Sequence, residues 1–458
     1  MVMIFNFPFD IIVNILNLLT IQEIVQLRLV NKSYNKLIKE YGFKLYFTNQ
    51  KWNIILSDPT IEKRHSSSLS ADNWQQKVSF GYITQQNWKK KKFSSTVVTK
   101  YHGQSLIPKL KFDKEKLLCC VENFIEIYYF NKYSYADFNH RKKRFMAHNN
   151  DVTDILISGR NDEIYTSSVD STIKKWNLKK LRNNINYRQD YYSRPYNLTP
   201  KKTFKGHKKS VQSIYMFTND PLNLYSISFD ETLRIWNTET TQSQLEIQLP
   251  GRPRVIRGLS SKNNLIGVGN RSKEHLTLYY VTPNDLVKST EIKGHQSTVY
   301  DLASNQNLPN TFVTGCYDGV CRLFDVRTMQ CVASYRDPYD YHPVFSVDYD
   351  AYRIAAGASR NGIIRIFDLR YNKNHYNIHQ GVKKGARNND GWSLYLGNNR
   401  SPVYSLQMDH SKIFATLSNM TWMLDFSKDI KHQRQNHHKM NDVSCLHYTH
   451  SKKWLGLG

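Results

Sequence analysis

Two apolar residues three positions apart recur eight times along this 458-residue chain: Ile107/Leu110, Val152/Ile155, Val211/Ile214, Ile256/Leu259, Val299/Leu302, Val344/Val347, Val403/Leu406 and Val443/Leu446. Their spacings are 45, 59, 45, 43, 45, 59 and 40 residues. Each unit holds short β-rich runs separated by turn residues, as in Val211–Phe217, Leu224–Ser228 and Leu233–Trp236. A period of about 40–45 residues with four strands per unit is that of a propeller blade. The repeat points to an array that offers a surface, because a catalytic pocket would occur once.

A second signal runs in step with the first. Gly206-His207, Asp230 and Trp236 stand in one unit, His148, Asp170 and Trp176 in the one before, and His295 and Asp318 in a later one, where Phe324 replaces Trp. This pattern resembles the WD-repeat family over residues 93–458. The resemblance implies a structural tetrad in each good unit, completed by a hydroxyl from Ser226 or Ser228, and from Thr166 or Ser168. A lone His–Asp–Ser set would suggest a hydrolase triad; recurrence from unit to unit argues for scaffolding. Elsewhere the turn acid decays to Glu122, Lys273 and Asn361. The long spacings place loops at Leu181–Pro200 and His375–Asn399. The expectation is seven blades with Val443/Leu446 as an extension, and eight as the alternative.

The first ninety residues have helical periodicity. Phe7-Pro8-Phe9-Asp10 precedes Ile11, Ile12, Ile15, Leu16 and Leu19, and Pro8 and Asp10 suit a helix start. Thr20-Ile21-Gln22-Glu23 reads as a capping box for a second helix with Ile24, Leu27 and Val30 on one face. A third run carries Tyr34, Leu37, Ile38 and Tyr41, with Gly42 as its expected stop. Phe7-Pro8 with Asp10, Val30-Asn31-Lys32 with Tyr34, and Leu45-Tyr46 together resemble the F-box. Asn31 and Tyr34 depart from the Cys and Trp usual there. Trp74, Asn87-Trp88 and the following basic run are similar to the linker of F-box/WD proteins. The expected organisation is an all-α F-box module at 1–48, a helical linker at 49–92 and an all-β propeller at 93–458. Gly315-Cys316-Tyr317-Asp318, Ile364–Asp368 and Ser401–Tyr404 look most like dactylin-type members.

Composition narrows the function classes. Six Cys show no paired framework, which suits reduced thiols in cytoplasm or nucleus. Metal-ligand spacing, phosphate-loop glycines and a catalytic constellation are all missing, so no cofactor, metal or enzyme activity is expected. Met1–Leu19 carries Asp10 and Pro8 and has no basic start, so neither a signal peptide nor a membrane span is expected. The net charge of +26 could serve nucleic acid, but its clusters at 89–92, 141–144 and 201–209 lie in the linker and in inter-blade loops. A basic solvated surface is the reading adopted here, with nucleic acid not expected as a partner.

The family resemblance implies a substrate receptor of a Skp–cullin–F-box ubiquitin ligase. Pro8, Ile11, Ile12, Ile15, Leu19, Leu27, Val30 and Tyr34 would face the Skp adaptor, and the cullin ligase would be the wider partner. Counting from the repeat places Phe229, Arg257, Tyr300, Tyr317, Phe345, Arg360 and Tyr404 on the target-binding face, mainly aromatic with two arginines. The alternative is a WD-repeat protein-interaction scaffold without a ligase role; an RNA-associated propeller is a third reading.

Overall fold

The computed structural model describes residues 14–16, 18–30, 32–44, 46, 74–101, 108–113, 115–130, 142–158, 162–183, 195–260, 264–271, 276–282, 285–305, 308–337, 341–369, 391–397, 400–427 and 443–446. Two compact units emerge. One comprises residues 1–94, 410–412 and 425–436; the other comprises 95–409, 413–424 and 437–458.

In the larger unit, antiparallel strands build seven sheets, each a blade of a β-propeller. Blade 3 sets the pattern, with Val211–Tyr215 innermost, then Asn223–Ser228, Thr232–Asn237 and Ser243–Gln248. Blade 7 joins Ser405–Met408, Lys412–Thr416 and Met420–Asp425 to an outer strand, Ser94–Lys100, that comes from before blade 1. The run Val443–Leu446 adds a fifth strand to blade 6 beside Trp392–Leu396. It is therefore an extension, as expected, and the strand pairing puts it on blade 6. Ile107 and most of the loop between His375 and Asn399 lie outside the described residues.

The core is divided among the blade interfaces. Tyr165, Ile173 and Phe204 of blade 2 pack with Val211, Leu224 and Trp236 of blade 3. Phe217, Tyr225 and Ile227 of blade 3 pack with Ile256, Ile266 and Tyr279 of blade 4. The second and third strands of a blade are covered on both faces and are buried almost throughout, as in Asn223–Ser228 and Thr232–Asn237, whereas outer strands such as Ser243–Gln248 are largely exposed.

Two tetrads form as the family resemblance implied. His207 Nδ1 meets Asp230 Oδ2 at 3.0 Å, His207 Nε2 meets Ser226 Oγ at 2.7 Å, and Trp236 Nε1 donates to Ser226 Oγ at 2.8 Å. In blade 2 the same set is His148, Asp170, Thr166 and Trp176, at 2.8–2.9 Å. Ser226 and Thr166 are thus the tetrad hydroxyls, while Ser228 and Ser168 instead tie the following turn. Asp170 and Asp230 are held well below the usual carboxylate range: burial opposes this, but the hydrogen bonds from histidine and threonine outweigh it.

Blade 5 departs from the pattern. Phe324 has no N–H to offer, and Thr314 Oγ1 is buried without a hydrogen-bond partner. The guanidinium of Arg322 stands between His295 Nδ1 (3.3 Å) and Asp318, with which it forms a buried 2.8 Å ion pair. A cation at this third-strand position recurs as Lys174, Arg234 and Arg365, two residues before the strand aromatic.

The smaller unit contains helices α1 (Ile21–Val30), α2 (Lys32–Leu37) and α3 (Trp74–Lys89). The capping box is present: the Thr20 amide donates to Glu23 Oε2 at 2.7 Å, and the Glu23 amide reaches Thr20 Oγ1 at 3.4 Å. Gly42 does not stop the chain. A π turn spans Ile38–Gly42 and Phe43 keeps right-handed helical angles. A Cβ on Gly42 would lie 3.0 Å from Ile38 Cδ1, so the glycine serves close packing here. At the end of α3, the Trp88 ring stacks on Phe426 with centroids 3.5 Å apart, and its Nε1 donates to the His410 carbonyl.

The contrast between blades 3 and 5 gives a prediction. Ser226→Ala strands two buried nitrogens and should lower stability by about 1–3 kcal/mol, whereas Thr314→Val removes only a partnerless hydroxyl and should be neutral or stabilising. Urea-unfolding midpoints of the two full-length variants check both signs.

Candidate docking face

The inner strands of blades 2 to 6 each carry a β-bulge at one end. The register skips a residue between Val152 and Asp154, Val211 and Ser213, Pro253 and Val255, Val299 and Asp301, and Val344 and Ser346. The residues left over are Thr153, Gln212, Arg254, Tyr300 and Phe345. A bulge re-aims a side chain out of the ladder. Here it brings side chains from successive blades together at one rim of the propeller.

These side chains form a ladder. Tyr300 stacks on Phe345 at 4.6 Å and on Tyr317 at 5.8 Å, and Phe345 meets Tyr404 at 6.4 Å. Arg254 lies over both Phe229 (5.2 Å) and Tyr300 (5.4 Å). The strip spans blades 3 to 7, and Tyr317, at 49 % exposure, is its most open ring. Of the seven residues expected on this face, Phe229, Tyr300, Tyr317, Phe345 and Tyr404 are brought together.

Arg257 is not among them. The pairing of Pro253 with Asn270 matches that of Val211 with Ser228, so the blade 4 apolar pair is Pro253/Ile256 and not Ile256/Leu259. The shift of three residues puts Arg254 at the rim and Arg257 inside the channel. There its Nη1 donates to Asp154 Oδ2 at 3.2 Å and Ser213 Oγ at 3.0 Å. Proline in place of valine hid the register, although counting back from Asn270 recovers it. Arg360 is exposed in the blade 6 hairpin, whose Ser359 amide bonds the Pro343 carbonyl. That hairpin is one residue longer than its blade 3 counterpart, because Gly357 pairs with Ile364 where Ile227 pairs with Leu233. Ser272 and Lys273, at the corresponding blade 4 turn, lie outside the described residues.

The channel encloses about 740 Å³ and is lined by Lys109, Lys111, Asp154, Arg257, Asp301 and Asp348, among others. Its acids bind the backbone of the next blade: Asp154 accepts from the Ile214 amide, Asp301 from Val347 and Asp348 from Met408. Burial pushes Asp348 up to about 7, against the pull of the Met408 and Tyr349 amides and of Lys111. Gly258 completes the wall, because a Cβ there would fall 2.1 Å from the Tyr215 hydroxyl.

In the helical unit, Ile15, Leu19 and Leu27 are half-buried, and Val30 is 48 % exposed. Pro8, Ile11, Ile12, Asn31, Leu45 and the Tyr34 side chain lie outside what is described. Leu16 and Ile24 are buried, while Val25 and Leu29 are exposed. Ile21, Val25, Phe43, Val78, Tyr82 and Ile83 line a groove of about 550 Å³.

His295, Cys316 and Asp318 could converge on a metal ion, but the Arg322 guanidinium already neutralises Asp318, and burial pushes the Cys316 thiol up to about 12. That chemistry does not suit a metal centre. Among the described residues no helix is long and apolar enough to cross a membrane.

Comparison with known proteins agrees with the architecture. The F-box domain family matches residues 4–46, and the "WD domain, G-beta repeat" family matches residues 139–177, 198–237 and 286–325. The solved WD40 β-propeller domain of Doa1 superposes with a TM-score of 0.51 at 13 % identity, covering 72 % of this chain and 97 % of that one. Among curated proteins, the chain is 24 % identical over 249 residues to Ribosome biogenesis protein YTM1 of Phaeosphaeria nodorum, covering 50 % of this chain and 51 % of that one. The namesake in Laccaria bicolor is 27 % identical over 165 residues, covering 35 % and 36 %; the one in Schizosaccharomyces pombe is 25 % identical over 168 residues, covering 37 % and 36 %. The chain thus spans about half the length, or less, of these relatives. Their names overturn the expected substrate receptor of a ubiquitin ligase, and with it the Skp adaptor and cullin as partners. The physical reason is that a helical module and a propeller define a scaffold, whereas the role is set by what its surfaces bind.

The raised Asp348 gives a second prediction. Its folded value lies above its ordinary 3.8, so the fold binds the extra proton. Stability should therefore fall as pH rises from about 4 to about 7, by a few kcal/mol at most, then level off. Asp348→Asn should flatten that fall in urea unfolding followed against pH.

Proposed function

We propose that this chain, which carries an F-box domain and WD40 repeats, is a non-catalytic WD-repeat interaction scaffold of ribosome biogenesis. The observation that carries the reading is the ladder Phe229–Arg254–Tyr300–Phe345–Tyr404, with Tyr317 beside it. Aromatic rings and arginine are the side chains that most often anchor interfaces, since they bury much area and lose little entropy. Here the rings order one another before any partner arrives, which lowers the cost of docking. The likeness to proteins named for ribosome biogenesis supplies the context, and a nuclear place of action accompanies it. Such a scaffold contributes proximity: it holds components at a raised effective concentration.

The test is sedimentation of the tagged full-length chain through a sucrose gradient. Wild type should travel with assembling ribosomal particles. The Tyr300→Ala/Phe345→Ala variant should shift to light fractions by about tenfold in occupancy while keeping its circular-dichroism melting curve. A wild-type chain confined to light fractions overturns the reading.

A further inference from the structure

We infer that the ladder face binds single-stranded RNA, bases on its rings and phosphates on the cations around it; the inference rests on the scaffold reading above and names the partner of that face. Six exposed basic residues surround the ladder: Lys208, Lys209, Arg252, Arg271, Arg360 and Arg400. Their placement follows from backbone contacts. Lys208 and Lys209 flank Phe229, since the Lys208 amide bonds Asp230 and the Phe229 amide bonds the Ser210 carbonyl. Arg252 and Arg271 face each other across the blade 4 register, two residues from Arg254. Arg360 and Arg400 meet at blade 6, where the Gly362 amide bonds the Ser401 carbonyl.

Of the described acids at this end, those of blades 2, 3 and 5 are already used, and Glu122 stays exposed at the blade 1 turn, outside the ladder's blades 3 to 7. Asp170 and Asp230 hold His148 and His207, and Asp318 holds Arg322. Asp151 and Glu231 are half-buried. The rim is therefore strongly cationic, in keeping with the chain's +26, and complementary to a polyanion. Charge alone would serve any polyanion; the rings discriminate. Tyr317 presents an exposed ring face at one end of the stack, and Arg254 presents a planar guanidinium edge between Phe229 and Tyr300. Flat π surfaces interleaved with basic side chains are what unstacked bases and a phosphate backbone require. An RNA duplex hides its base faces, and an acidic peptide has none. Lys142, Lys201 and Lys202 take no part. Lys142, Lys175, Lys201 and Lys202 are paired with Glu126, Glu163 and Glu239.

The experiment is fluorescence anisotropy with the purified full-length chain and three labelled probes: a mixed-sequence single-stranded RNA of about 15 nucleotides, the same length of duplex RNA, and a polyglutamate peptide. The single strand should bind at least about tenfold more tightly than either competitor. Tyr317→Ala should weaken it about tenfold, as loss of one stacked base does. Arg254→Ala should weaken it and lower the salt slope by about 1. Lys142→Ala, away from the face, should change nothing. Equal binding of duplex and single strand with no effect of Tyr317→Ala would reduce the face to a nonspecific polyanion surface and overturn the inference. Tighter binding of the peptide would overturn it in favour of a protein partner. Because the probes are naked, the result is independent of particle association: a chain that sediments with particles yet ignores RNA keeps the scaffold role and loses this inference.

Discussion

An inner strand of a propeller blade has one edge with no strand beside it, and the rest of the structure follows from how that edge is satisfied. Unpaired amides facing a channel would cost about 1–3 kcal/mol each if left dry. Here the neighbouring blade supplies the partner through short polar side chains. Asp154, Asp301 and Asp348 reach the amides of Ile214, Val347 and Met408. Thr153 and Ser346 donate to the Val211 and Val403 carbonyls, and Gln407 accepts from Phe112. The blades are thereby locked in register around the ring. Bulges end the inner strands of blades 2 to 6 at equivalent register positions, which is why most of the ladder can form.

Much of this was legible from the residues. The seven blades and the Thr20–Glu23 capping box follow from spacing and donor chemistry, and the hydrogen-bonding sets around His148 and His207 from the resemblance to the WD-repeat family. What escaped was register. Ile256 and Leu259 are both apolar and three apart, so they imitate the true pair; the strand pairing, not the composition, distinguishes Pro253 from Ile256. A slip of three residues then exchanged Arg257 for Arg254, one in the channel and one at the rim. Gly42 escaped for a different reason: a glycine ends a helix or lets a neighbour approach, and only the Ile38 contact tells which. Blade 5 was the hardest to read, because Arg322 intervenes between His295 and Asp318, while the bond to Thr314 that Phe324 cannot make stays unmade.

The role of the chain was less legible than its shape, and the physics explains the gap. The strongest sequence signals mark groups buried between strands, which no partner touches. The side chains that a partner would meet carry a weaker signal, since a tyrosine on a rim and a tyrosine in a core look alike in a string of letters. The basic surface illustrates the same point. Lys142, Lys201 and Lys202 are neutralised by glutamates of adjacent strands, while the open cations lie in pairs at blades 3, 4 and 6 and converge only in three dimensions.

The outer strand of blade 7, Ser94–Lys100, bears on how this chain folds. It pairs with Met420–Asp425, more than three hundred residues later. The ring cannot close until both ends of it have emerged from the ribosome that makes them. Until then Ser94–Lys100 waits with its hydrogen bonds unmade, and the inner strand of blade 1 lacks the Ser405 and Gln407 that hold it. Such long-range pairing makes closure slow and leaves strand edges open to misassociation in the interval. Synthesis from the N-terminus thus gives blades 2 to 6 time to stack in order, and leaves the join between first and last as the late and vulnerable step.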